Sequence, residues 1–349
     1  MGCEGENITH MNKQSESFHS LFKPEPDLVY INSHGTLFNS DCFDLLHSLK
    51  ENSIDLVFTD PPFNLGKDYA TPRFNDRKKP EEYEAWCHLW LTELIRVLRL
   101  GGTLTIYQWP KWFIDLGAWL SKIPDIQYRS LISLKMKSGF PIKGRLHPAN
   151  YGILYYVKRG RKPTFNVVRH RAPVCRHCGK EIRDYGGYRK KFEKFEDEDG
   201  IPWIQISDFW EDTRPARQDK SRKIQINELP LHIPERVILM ASNPGDVVLD
   251  IFGGGGSTYH AAQIHDRFWI GCDIAETSTR ATLNRFAAIF GRKEQSEPPE
   301  KIAKCFRSEY IQYFLEKKKD RGVSLIRAVP TIKNSKCLLN GSKSKTLGF

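Results

Sequence analysis

No apolar run in this 349-residue chain approaches the roughly 18 residues that a helix needs to cross a bilayer. The N-terminus also lacks the apolar centre of a secretion signal. These absences argue against membrane-spanning and secreted proteins. Glu6 stands where an N-myristoylation site requires Ser or Thr, which sets a lipid anchor aside. The eight cysteines are scattered without the spacing of a disulfide framework, as suits a reducing cytosol. A cytoplasmic protein without a membrane partner is therefore expected.

What is present is an ordinary globular balance, 40% hydrophobic and 27% charged, with a formal net charge of +11. The length suits one large α/β domain with a smaller insertion. The positive charge suits a polyanion partner without specifying one.

The first chemically informative stretch is Asp55-Leu56-Val57-Phe58-Thr59-Asp60-Pro61-Pro62-Phe63. Its apolar half reads as a buried strand, and it stops on a carboxylate followed by two prolines and an aromatic ring. The prolines restrict the backbone, so Asp60, the Pro61 carbonyl and the Phe63 ring are held just past a strand's carboxyl end. Ligands bind there in open α/β sheets. An amine conjugated to a flat ring is a poor nucleophile, because its lone pair is delocalised. A carboxylate and a backbone carbonyl, each accepting one N–H, would draw that nitrogen toward tetrahedral geometry while an aromatic face holds the ring. The plain alternative is a strand-ending turn with Phe63 packed below it.

A second strand, Asp246 to Asp250, runs through Ile251 and Phe252 into Gly253-Gly254-Gly255-Gly256 and a helix beginning near Ser257 and Thr258. Glycines permit a tight turn and close backbone approach to a ligand, with helix-terminal N–H groups facing it. The next strand, Phe268 to Cys272, ends on Asp273, where an acid would accept both hydroxyls of a ribose. Together these features favour an adenosine-containing cofactor over a plain tight turn.

From about Thr36 to Phe290 the chain resembles the S-adenosylmethionine-dependent DNA amino-methyltransferases of the permuted beta group, in which the catalytic motif precedes the cofactor motif. The resemblance rests on Asn39-Ser40-Asp41, on Asp60 to Tyr69, on Arg96 to Gly102, and on Asn243-Pro244-Gly245-Asp246 leading to Thr258. It implies a Rossmann-like methyltransferase sheet with helices on both faces, the catalytic half before the cofactor half, and an irregular inserted recognition region. Asp60, Pro61, Pro62 and Phe63 would carry catalysis. Asp41, Asp60, Leu229, Pro230, Asp250, Phe252, Gly253, Gly255, Ser257, Thr258 and Asp273 would hold S-adenosyl-L-methionine. Phe63 stands where the family more often has Tyr, Ser40 where it has Gly, and Ile251 where it has Pro. Stacking survives the first change.

Five segments follow: a flexible leader (1–27), the catalytic half (28–136), an insertion for DNA target recognition (137–222), the cofactor half (223–290) and a basic extension (291–349). Helical spacing runs from Tyr83 to Leu98, with Trp86, Trp90, Leu94 and Leu98 on a core stripe, and stops at Gly101-Gly102. Strands are expected at Thr36 to Phe38, Ile54 to Thr59, Thr103 to Trp109, Tyr128 to Met136 and Tyr151 to Val157, and helices at Cys42 to Leu49 and Trp112 to Leu120. Asp41 suits either a helix N-cap or a contact to the cofactor's adenine. Residues 64–79 read either as a lid or DNA-contacting loop or as a plain solvated loop. In the insertion, basic clusters such as Arg189-Lys190-Lys191 alternate with aromatics and favour phosphate contact. Cys175 and Cys178 resemble half a zinc knuckle; two unliganded thiols in a turn fit better, since no cysteine follows until Cys272. No metal is expected.

The resemblance implies methyl transfer to a base flipped from double-stranded DNA, with no covalent enzyme intermediate. The acid at position 60 leans within the family toward adenine N6 over cytosine N4. Methylation of a cytosine ring carbon would need a cysteine nucleophile, and the chain lacks the Pro-Cys pair that such enzymes present. Methylation of RNA or a protein amide, and a non-catalytic DNA-binding protein on the same fold, are the rivals. A homodimer and a separate restriction endonuclease, as in a restriction-modification system, are left open as partners.

Overall fold

Two strands distant in the sequence, each ending in an acid and a turn, lie side by side in one sheet. The computed structural model describes residues 26–135 apart from 70; residues 143, 144, 146; residues 149–211 apart from 176 and 184; residues 229–291 and 293–308; and residues 310, 311, 313 and 316. In chain order it has β1 (Leu28–Ile31), β2 (Gly35–Phe38), α1 (Cys42–Ser48), β3 (Ile54–Thr59), α2 (Pro80–Val97) and β4 (Leu98–Gln108). A 3-10 turn (Pro110–Trp112) leads to α3 (Phe113–Leu120), β5 (Ile126–Lys135) and β6 (Asn150–Lys158). The insertion adds β7 (Arg169–Arg171), a 3-10 helix (Arg189–Phe195), β8 (Trp203–Gln205) and β9 (Phe209–Trp210). Then come α4 (His232–Ala241), β10 (Val247–Asp250), α5 (Ser257–Ile264), β11 (Phe268–Cys272), α6 (Glu276–Phe290) and α7 (Glu300–Ala303).

Nine strands pair in the order β1-β2-β11-β10-β3-β4-β6-β5-β9. The five from β2 to β4 are parallel to one another. β1 pairs antiparallel with β2, and β6 antiparallel with both β4 and β5. From β3 the chain passes through α2 to β4 on one side; from β10 it passes through α5 to β11 on the other. The topological switch point therefore falls between β3 and β10, where such sheets open a ligand crevice at the strands' carboxyl ends.

Both faces of the sheet are covered, so its central strands are apolar on both sides. Val247 and Leu249 of β10 face a core shared with Leu45 of α1, Trp90 and Leu94 of α2, Leu116 of α3 and Ile302 of α7. Val248 faces the opposite core, with Val237 of α4, Ala261 of α5 and Phe286 of α6. Helix α2 ends at Val97, and the Gly101-Gly102 pair expected to stop it lies inside β4. At its end the Arg96 and Val97 carbonyls accept from the Asn52 and Ser53 N–H groups, and the buried Lys158 ammonium donates to the Ile95 carbonyl and to that of Leu98 in β4, each at 2.7 Å.

The sheet takes in β6, which the sequence division at 137 places with the insertion. The insertion itself is more ordered than its irregular pattern suggests. β7 and β8 form a separate antiparallel pair over a small core of Ala172, Ile201 and Ile204. Its acidic patch serves as an internal counter-charge: Arg171 pairs with Asp197 at 2.5 Å and Asp199 at 2.7 Å, and Arg189 with Glu196 at 2.6 Å. Among the described residues no helix is long and apolar enough to cross a membrane. The expected leader, apart from its last two residues, and the greater part of the basic extension lie outside the described residues.

Candidate active site

Asp60 directly follows β3, and the described residues offer its carboxylate no hydrogen bond. Its carboxyl is pushed up to about 8, chiefly by burial and then by the nearby Asp250 carboxylate, with the Lys67 ammonium opposing. Tyr69, Tyr107 and Tyr151 surround it: burial raises each phenol, and the Asp60 charge raises each further. Phe63 is 7% exposed, packed against Tyr107 at 6.0 Å and Tyr151 at 5.6 Å between ring centroids. The Lys67 ammonium lies 5.6 Å from its ring centroid.

The following loop is held by one buried acid. The Asp76 carboxylate accepts the backbone N–H groups of Asn64 at 2.9 Å, Leu65 at 3.1 Å and Lys67 at 2.9 Å. Phe74 packs on Trp86, 5.4 Å between centroids, so the loop is docked on α2 and is not a plain solvated connection. Nothing in the composition of 64–79 marks Asp76, because its partners are backbone groups that any residue supplies.

Across the switch point, Phe252 follows β10 and packs against Trp86 and Trp90, with centroids 5.6 and 5.5 Å away. Gly253 has no room for a side chain, since a Cβ there would overlap Tyr259. Gly256, at φ 75°, has the left-handed backbone that begins α5. Gly255 lies buried between them. Asp250 is buried with both oxygens bonded: it accepts from the Phe252 N–H at 3.0 Å and the Thr258 hydroxyl at 2.6 Å. The Ser257 hydroxyl donates to the Leu229 carbonyl at 2.7 Å, which ties the segment carrying Leu229 and Pro230 to the start of α5. Asp250, Ser257 and Thr258 thus shape the crevice through contacts of their own.

Asp273 accepts from the Gly254 N–H at 2.9 Å and the Ala275 N–H at 2.8 Å, and burial raises its carboxyl. The Ser278 side chain also hydrogen-bonds this carboxylate, which keeps acceptor capacity for a ligand hydroxyl. Asp41 caps α1, its carboxylate accepting from the Phe43 N–H at 2.9 Å. The Asn39 side-chain amide donates to the Asp273 carbonyl at 2.9 Å and so joins the first motif turn to the end of β11. Every predicted catalytic and cofactor residue is described. Asp60, Pro61, Pro62 and Phe63 follow β3, while Asp250 to Thr258 follow its neighbour β10 and Asp273 the next strand. Cys175 and Cys178 lie in the insertion, in a turn closed by the Gly179 N–H donating to the Cys175 carbonyl at 2.9 Å. No group of three or more His, Cys, Asp or Glu that could hold a metal ion occurs among the described residues.

An acid and two prolines after β3, a glycine turn after β10 and an acid after β11 thus meet at the switch point of a Rossmann-like methyltransferase sheet with helices on both faces. Residues 54–284 match the DNA methylase family of N6/N4 methyltransferases, and the chain belongs to it. It is 39% identical over 271 residues to the type II methyltransferase M.BamHI of Bacillus amyloliquefaciens, covering 78% of this chain and 60% of that protein. It is 30% identical over 307 residues to the type II methyltransferase M.HpaI of Haemophilus parainfluenzae, covering 84% of this chain and 91% of that one. Among solved structures, the cytosine-N4-specific PvuII DNA methyltransferase shares the fold, with a TM-score of 0.53 at 17% identity over 85% of this chain and 97% of that chain.

Proposed function

We propose that this protein transfers a methyl group from S-adenosyl-L-methionine to the exocyclic amine of a base flipped out of double-stranded DNA, with adenine N6 as the target. The observation that carries the reading is the pairing of an unbonded acceptor, Asp60, with the glycine turn on the neighbouring strand. Membership in the DNA methylase family supports it.

The residues present fit the cofactor. Asp273 retains acceptor capacity for ribose hydroxyls, the Phe252 ring stands beside Trp86 and Trp90, and Gly253 leaves the turn without a side chain that could fill the crevice. When bound, the cofactor supplies an electrophilic methyl carbon on a positively charged sulfur. Asp60 accepts one N–H of the target amine and the Pro61 carbonyl the other, which withdraws the nitrogen lone pair from the ring and aims it. Phe63 and Tyr151 wall the base. The clustered carboxyls of Asp60, Asp250 and Asp273 favour a cation between them. Lys190, Lys191 and Lys194 of the insertion track the DNA backbone. As with the two type II relatives, modification within a restriction system is the expected setting, with any endonuclease a separate chain.

Labelled-methyl transfer assays on DNA, RNA and protein test the reading, together with sequencing of modified bases in DNA from a host expressing the protein. Methylated adenine within one short sequence is expected. Methylated cytosine N4 would correct the base, and label in RNA or protein alone would overturn the substrate. Tight DNA binding without turnover in the presence of cofactor would favour the non-catalytic alternative.

A further inference from the structure

The proposed mechanism requires the Pro61 carbonyl to hold a fixed direction, yet the turn that carries it has few means of its own. Pro61 and Pro62 have no N–H, so neither can be anchored by donating to the sheet. Three successive carbonyls, of Pro61, Pro62 and Phe63, follow Asp60. Two of them are taken by side chains that the motif does not contain. The Tyr83 hydroxyl, on the first turns of α2, donates to the Pro62 carbonyl at 2.5 Å. The indole N–H of Trp112, in the turn before α3, donates to the Phe63 carbonyl at 2.9 Å. Their rings pack together, 4.5 Å between centroids, and both residues are buried.

The direction of the Tyr83 proton is itself set. The Gln108 amide N–H, at the end of β4, donates to the Tyr83 hydroxyl oxygen at 2.9 Å, which leaves that hydroxyl to donate onward to Pro62. The other end of the same amide accepts the Trp109 N–H at 2.8 Å, which fixes which way the amide faces. Gln108, Tyr83 and the Pro62 carbonyl thus form a relay, with the Cys87 thiol a further hydrogen-bonded neighbour of the Tyr83 hydroxyl. Within the described residues no donor is paired with the Pro61 carbonyl.

We infer that Tyr83 and Trp112, with Gln108 behind Tyr83, are positioning residues for methyl transfer: they hold the Pro62 and Phe63 carbonyls away from the crevice, so that Asp60 and the Pro61 carbonyl alone meet the amine. This rests on the function proposed above. None of the three touches substrate. They act through the turn, and a displacement of the order of 1 Å at a reacting group costs about 100-fold in rate.

Tyr83→Phe keeps the ring and removes the hydroxyl. It is expected to lower kcat by about 10- to 100-fold while leaving the KM for DNA and the Kd for S-adenosylmethionine within about twofold. Gln108→Glu keeps the shape but replaces the donor with an acceptor that draws the Tyr83 proton away from Pro62. It is expected to reproduce the same loss with Tyr83 intact, which a packing role would not. A crystal structure of Tyr83→Phe is expected to show the Pro62 carbonyl rotated from its wild-type direction. Wild-type kcat in Tyr83→Phe, or an unmoved turn in its crystal structure, overturns the inference. If the wild type itself transfers no methyl group, the proposed function fails, and the position of the turn in that crystal structure still judges the clamp.

Discussion

Asp60 and Asp250 end neighbouring parallel strands, and after burial the Asp250 charge is the next cause that pushes the Asp60 carboxyl up to about 8. Asp250 is itself pushed up to about 7, again chiefly by burial, against the hydrogen bonds from Thr258 and Phe252. Asp273 adds a third carboxyl raised by burial. Such a cluster is costly to ionise without a partner, and a cation placed among the three lowers that cost.

Methyl transfer is expected to need ionised Asp60, so kcat/KM should rise with pH through about 8, the value of the free enzyme. Lys67 opposes the upward shift, so Lys67→Met should move that limb to higher pH. A pH–rate profile of both proteins checks the pair of statements. A limb that stays in place in the variant would remove Lys67 from the electrostatics.

The same shift has a stability consequence. The Asp60 carboxyl goes from its ordinary 3.8 to about 8 on folding, so between those values the folded state holds a proton that the unfolded chain has released. Stability from this group is present below about 4, falls as pH rises toward about 8, and levels off above. Asp60→Asn should therefore raise the melting temperature more at pH 8 than at pH 5 while abolishing transfer. Thermal unfolding at the two pH values tests it; an equal change at both would show that Asp60 does not carry the shift.

Gly253→Ala would drive a Cβ into Tyr259, whose hydroxyl donates to the Asp250 carbonyl at 2.9 Å and whose ring stacks on Trp269. With Tyr259 unable to yield, overpacking of this kind costs about 1–3 kcal/mol. Urea unfolding and cofactor titration should show lower stability and weaker binding together.

In the insertion, arginines and lysines should separate by role. Arg171 holds the small subdomain through Asp197 and Asp199, so Arg171→Ala should destabilise it. Replacing Lys190, Lys191 or Lys194 with Ala should instead lower DNA affinity and reduce the slope of log K against log salt by about one for each phosphate left without its ammonium. Binding titrations across a salt series distinguish the two. Unchanged slopes for all three lysines would place the DNA path elsewhere.

Much of the architecture was legible because local pattern and tertiary environment agree. Ile54–Thr59 reads as a buried strand and is one, since a central parallel strand is apolar on both faces. Of the two roles open to Asp41, the N-cap is seen at α1, because its partner is two residues away. The order inside the insertion was not legible. Its small core is built from residues far apart, and its acidic and basic runs neutralise one another across the fold. The lone Asp76 gave no signal either, because a carboxylate bound to backbone N–H groups leaves no trace in its partners' identities.

By itself the sequence determined the chemistry at each strand end: a proline-restrained acid after β3, a glycine turn after β10 and an acid after β11, since these follow from residue type and local backbone preference. Tertiary structure alone decided that β3 and β10 are neighbours, that Asp250 serves the turn with both its oxygens, and that Tyr83 and Trp112 reach the Pro62 and Phe63 carbonyls. The physical reason is that pairing between distant strands and the direction of a buried donor depend on which faces pack together, and no local pattern of residues encodes that.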